Sequence, residues 1–204
     1  MCGDEMTKLV LGVGFNDKTR PARVDGKHVK EYKLWQSMLR RCFSEIEQTR
    51  SPTYKGCNVS DNFLHYSYFY DWCQGQIGFG NVDENGRSWC LDKDLLFVGN
   101  KTYSETACVF VPNEINLFFI DRGNARGEYP VGVCFHKASG KFVAQCKVNS
   151  KQQHLGYFNT PQEAFTVYKP FKENLCKQLA LKWQTEIDER LFNAMMNWTV
   201  NYEA

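Results

Sequence analysis

Apolar residues early in the chain recur at helical spacing. Tyr32, Leu34, Trp35, Met38, Leu39, Cys42 and Phe43 predict an amphipathic helix over about 31–48, closed by Ser51 and Pro52. A second aromatic-rich stretch, FLHYSYFYDWC from Phe63 to Cys73, predicts another helix. The run GQIGFGNVDENGRS that follows holds too many glycines for regular structure and predicts a long loop. Next come an extended piece running to Asp94, a turn at Gly99-Asn100 and a second extended piece from Cys108 to Val111. Pro112 then stands where a helix can start, because its missing N–H costs nothing in a first turn.

From Val131 the apolar period becomes two. VGVCFHK (131–137), KFVAQCKV (141–148) and HLGYF (154–158) predict three strands. Thr160 caps the helix that follows and Pro161 takes its first position. The helical pattern runs to about residue 198, with a break expected at Pro170. The fold class read from this is α+β. A strand–strand–helix module with flanking helices precedes a three-stranded antiparallel sheet packed on an α-helix. The boundaries are an arm over 1–30, a first module over 31–120, a second over 121–185 entered through the hinge loop 121–129, and a helical tail over 186–204.

Composition narrows the class of protein. With 204 residues, 43% of them hydrophobic and 24% charged, the chain has enough apolar side chains to build cores, unlike a disordered segment. No apolar run approaches the roughly 18 residues that cross a bilayer, and the start MCGDEMTKLVLGVGF lacks the pattern of a secretory signal. The expectation is a cytoplasmic protein with no membrane partner. Nine cysteines are an odd number without a Cys-x-x-Cys pair, and the four histidines are scattered. That pattern points to reduced, mostly buried thiols rather than a zinc centre.

Net charge is only +2, but its distribution is uneven. Between Val131 and Asn159 lie Lys137, Lys141, Lys147, Lys151, His136 and His154, with no Asp or Glu. Strand alternation assigns Lys141, Val143, Gln145 and Lys147 to one sheet face, and Phe142, Ala144, Cys146 and Val148 to the face packed on the helix, against Ala164, Phe165 and Tyr168. The open face reads either as a solvated lysine surface or as a surface for a polyanion. A cationic sheet fits a DNA major groove. There lysines attract phosphates, and Gln145 has the donor and acceptor to pair with an adenine edge.

Gly132-Val133, Gly140 to Gln145, Leu155 to Ala164 and Tyr168 together resemble the Apetala/ethylene-response-factor DNA-binding domain over about 131–180. The resemblance implies that the exposed sheet face reads double-stranded DNA. Its matching positions here are Cys134, His136, Gln145, Lys147, Gln152 and His154; Lys137 and Lys141 join them as DNA-binding candidates through their charge alone. That family usually carries arginines and tryptophans at the reading positions, so the replacements imply looser, salt-sensitive binding.

The segment LDKDLLFVGNKTYSETACVFVPNEIN is similar to the ββα-metal motif of HNH nucleases. It is seen with Trp35-x-x-Met38-Leu39-x-Arg41-Cys42 and Pro52-Thr53-Tyr54-Lys55-Gly56-Cys57, an arrangement that resembles phage homing-type endonucleases joined to an Apetala-like sheet. The resemblance implies DNA cleavage or nicking with a divalent metal, Mg²⁺ or Mn²⁺. Asp92 and Asn116 would then be ligands, Asp94 a further carboxylate and Asn100 an orienting group. It also implies action in the host cytoplasm during infection. One departure stands out: no histidine lies between His65 and His136, so the position of the general base is empty or filled by Asp92. This leaves a second reading, an HNH scaffold without catalysis, acting as a DNA-binding regulator or as an inhibitor of a host defence protein.

Overall fold

A computed structural model describes residues 9–120, 128–148 and 151–202. Most of the expected hinge loop lies outside them. The chain is mixed α+β and divides into two compact units: Met1–Asn116 with Glu186–Leu191, and Leu117–Thr185 with Phe192–Ala204.

In the first unit a short hairpin, β1 (Arg23–Val24) and β2 (Lys27–His28), leads into α1 (Lys30–Phe43). Tyr32, Trp35, Met38, Leu39 and Cys42 are its buried stripe, as the spacing requires. The single expected helix is split. Ser44 adopts an extended conformation and its hydroxyl accepts the Glu47 N–H, so it caps a separate α2 (Glu45–Arg50). A 3₁₀ turn (Pro52–Tyr54) and β3 (Asn58–Val59) follow.

The second expected helix is also two. Ser60 caps α3 (Asp61–Leu64), and α4 (Tyr66–Gln74) starts anew after His65. Phe15 occupies the break: its N–H donates to the Leu64 carbonyl, and its carbonyl accepts the Tyr66 N–H. The core here is aromatic. Trp35, Phe63, Tyr66 and Phe69 are buried edge to face or tilted, and Trp35 Nε1 donates to the Phe63 carbonyl at 2.7 Å.

β4 (Cys90–Asp92) pairs antiparallel with β6 (Val109–Val111), and α5 (Asn113–Phe119) begins just after Pro112. Between them β5 (Thr102–Tyr103) pairs in parallel with β3, a contact of two residues that no periodicity announces. Ile187 and Leu191, from the far end of the chain, are buried in this unit's segment, and Arg190 Nη1 donates to the Thr106 carbonyl at 3.1 Å.

The second unit holds a three-stranded antiparallel sheet of β7 (Val133–His136), β8 (Lys141–Val148) and β9 (Lys151–Phe158), in that order. Its inner face packs on α6 (Pro161–Trp183): Ala144 and Cys146 meet Ala164, Phe165 and Tyr168, with Phe142, Leu155 and Phe158 around them. Thr160 caps α6 through the Glu163 N–H, as read. The expected break at Pro170 is absent. Phe165 and Tyr168 before it and Phe171 and Leu175 after it are all held in the same core, which outweighs one missing N–H bond. The helix stops later, and α7 (Glu189–Met196) restarts with the Asp188 carboxylate accepting the Arg190 N–H. Among the described residues no helix is long and apolar enough to cross a membrane.

Candidate functional site

Strand register sets the outer face of the sheet. His136 pairs with Lys141, Cys134 with Val143, Val143 with Tyr157, Gln145 with His154, and Lys147 with Gln152. Directly opposed residues share a face, so six of the expected DNA-contacting positions (His136, Lys141, Gln145, Lys147, Gln152 and His154) stand together on it, with Cys134. Lys137 lies beside them in the turn of residues 137–140. Lys151 does not join them: it pairs with Val148 at the sheet end, on the inner side. Among the lysines, the face itself therefore carries Lys141 and Lys147, and Lys137 adds a third at its edge. All three are exposed, and among the described residues none forms a salt bridge.

The face is ordered by its own contacts. Gln145 Nε2 donates to Cys134 Sγ at 3.3 Å, and His136 Nδ1 lies 2.8 Å from Ser139 Oγ. Tyr157, half exposed, sits between two imidazoles, with ring centroids 5.5 Å from His136 and 4.7 Å from His154. Sequence alternation missed it because β9 carries a bulge opposite Ala144 and Gln145, which shifts the phase of the strand by one residue. Leu155 and Gly156 both fall on the inner side, so Tyr157 returns to the outer one. The signal was Gly156: its φ of +142° is open to glycine, and a Cβ there would lie 3.0 Å from the Phe158 ring.

In the first unit, Asp92 at the end of β4 and Asp94 and Asn100 in the loop after it are brought together, but their side chains are largely committed to that loop. Asp92 Oδ1 accepts the N–H groups of Asp94 and Leu95, both at 2.9 Å. Lys93, buried, donates to Asp94 Oδ2 at 2.9 Å and lies over the Tyr103 ring. Asn100 Nδ2 donates to the carbonyls of Lys93 and Thr102, and its Oδ1 accepts the Thr102 N–H. Burial, reinforced by the Asp94 charge, pushes the Asp92 carboxyl up to about 6.

Asn116 is half-buried on α5, and among the described residues no hydrogen bond joins it to Asp92. The α5 residue tied to the hairpin is Asn113, which accepts from Cys90 Sγ and donates to Asp83 and to the Ser88 carbonyl. Its place after Pro112 was the available signal. Arg41, also unassigned by sequence, stacks over Tyr54 and donates to the Tyr103 hydroxyl at 3.3 Å. Among the described residues no group of three or more His, Cys, Asp and Glu is placed to hold a metal. Asp92 and Asp94 thus offer a hard-oxygen pair and only part of a ligand shell. No protein-family model matches this chain, and no curated protein or solved structure matches it either.

Proposed function

We propose that this chain binds double-stranded DNA through the outer face of β7–β8–β9. The observation that carries the reading is the composition of that face: exposed Lys141 and Lys147, polar Gln145 and Gln152, His136 and His154 flanking Tyr157, and no acid. Lysines supply phosphate attraction, and the amide and imidazole groups supply base-edge contacts. The Apetala-like resemblance of the same strands adds to this. Fluorescence anisotropy with a labelled duplex tests it: binding should weaken steeply with salt, and a salt-insensitive signal or none would remove the reading.

For the first unit we favour an HNH-like scaffold that serves binding rather than cleavage, as a regulator of phage or host genes or an inhibitor of a host defence protein. Asn100 is spent on closing its loop, Asp94 is paired with Lys93, and no histidine stands in the segment. The second reading is nicking with bound Mg²⁺ or Mn²⁺ at Asp92 and Asn116. It is favoured by the half-buried position of Asp92 at the end of β4, with Asp94 two residues on. The cation would polarise the scissile phosphate; Asp92 and Asn116 would hold it. Supercoiled plasmid incubated with either metal decides between them. A nick made by wild type and lost in Asp92→Ala establishes cleavage, and intact plasmid in every condition supports the binding scaffold. Either activity would belong to the cytoplasm of an infected cell.

A further inference from the structure

The loop between β4 and β5 ends in two apolar side chains that meet water: Phe97 is 57% exposed and Val98 is 82% exposed. Loose loops often carry such residues, but this one is braced. Asp92 Oδ1 holds the N–H groups of Asp94 and Leu95 at the first foot. The Asn100 side chain bonds Lys93 at that foot and Thr102 at the other, while the Asn100 N–H closes a turn onto the Phe97 carbonyl at 2.9 Å. Gly99, with φ +81°, takes the left-handed step of that turn. Leu95 and Leu96 are half-buried below the tip, so the loop presents Phe97 and Val98 on a fixed base. The Asp92 carboxylate and the Asn100 side chain and N–H therefore hold an apolar tip in water.

The surroundings select the partner. Lys101 is exposed at the second foot, with Nζ on the Thr53 carbonyl at 2.8 Å, and Lys55 is exposed two residues beyond Thr53. Of the two acids at the first foot, Asp94 is paired with Lys93 and Asp92 is turned onto the N–H groups of Asp94 and Leu95. A protein-docking patch has an apolar centre of several side chains depleted in charge. Here two apolar residues stand over glycine, the Lys93–Asp94 pair and an Asp92 carboxylate tied to the loop backbone, with Lys101 and Lys55 as the exposed cations. We infer that Phe97 and Val98 form a wedge that enters a base-pair step of duplex DNA from the minor groove, unstacking it while the neighbouring lysines meet phosphates. The inference rests on the reading that the chain binds duplex DNA. It gives Asp92 and Asn100 a role in bracing the wedge.

The test combines duplex affinity with DNA unwinding. Relaxed plasmid is treated with a metal-independent topoisomerase and the protein in EDTA, so that no metal-dependent nick intervenes, then deproteinised and run on a gel. Wild type should leave the plasmid underwound in proportion to bound protein. Phe97→Ala with Val98→Ala, at exposed positions that the fold does not need, should lose that unwinding at matched occupancy. Its duplex affinity should fall by about tenfold, the scale of one lost aromatic–base stack. Phe97→Trp should restore unwinding. If wild type binds duplex without changing plasmid linking, or the double variant unwinds as wild type does, the wedge is wrong and the sheet-face reading stands. If wild type binds no duplex at any salt, both fall. A stoichiometric protein partner lost by the double variant while duplex binding and plasmid linking stay at wild-type values would also overturn the wedge.

Discussion

Replacing Asp92 by Asn should make the protein more stable at neutral pH and less sensitive to pH. The Asp92 carboxyl is raised from 3.8 to about 6, first by burial and then by the charge of Asp94. A carboxyl with a raised folded-state value binds its proton more tightly in the native state than in the unfolded one. Its contribution is therefore neutral below about pH 4, turns unfavourable as pH rises from about 4 to about 6, and stays fully unfavourable above that. The rise from 3.8 to about 6 corresponds to about 3 kcal/mol as a ceiling, and the edge that Asp92 keeps to solvent brings the expected effect to about 2 kcal/mol. Asn keeps an Oδ1 to accept the Asp94 and Leu95 N–H groups and carries no charge, so it removes the cost without removing the brace. Urea denaturation from pH 4 to pH 8 reads it directly. The Asp92→Asn curve should gain on wild type as pH rises through this window and hold its lead above it. Parallel curves, or a variant weaker than wild type at pH 7.5, would show that the carboxylate is not held at a cost.

Two further outcomes follow from the second unit. Lys141→Ala with Lys147→Ala should weaken duplex binding and make the plot of log affinity against log salt shallower by about 2, one for each lost phosphate contact; an unchanged slope excludes the outer face. Gly132→Ala should destabilise this unit by about 2 kcal/mol or more. At φ +77° the new Cβ would fall 2.1 Å from the Tyr168 ring, and a thermal melt within a degree of wild type would contradict that packing.

What the sequence disclosed follows from the strength of each local signal. β8 is legible because its apolar and polar residues alternate about the set Phe142, Ala144 and Cys146 that meets the core, although Val143 on the other side is buried as well. The start of α6 is legible because Thr160 and Pro161 each act within one turn. The breaks at Ser44 and His65 are not, because apolar spacing runs straight across both. What decides them is a serine cap at the first and the backbone of Phe15, bridged in from outside the helices, at the second. The parallel contact of β3 with β5 joins residues more than forty apart and leaves no mark on either segment. In the candidate site, the residue types on the outer sheet face were legible, while Tyr157 was hidden by a bulge. The roles of Asp92, Asp94 and Asn100 were hidden for another reason. A carboxylate or amide that closes a loop has the same composition as one that meets a metal, and only its bonds tell them apart.

The return of Glu186–Leu191 to the first unit means that neither half is a continuous stretch of the gene. A coding fragment that stops after α5 omits Ile187 and Leu191, both buried, and the guanidinium that reaches the Thr106 carbonyl. Recombination cannot trade these halves like beads on a string, since any exchange that keeps the first intact must carry two separated segments together.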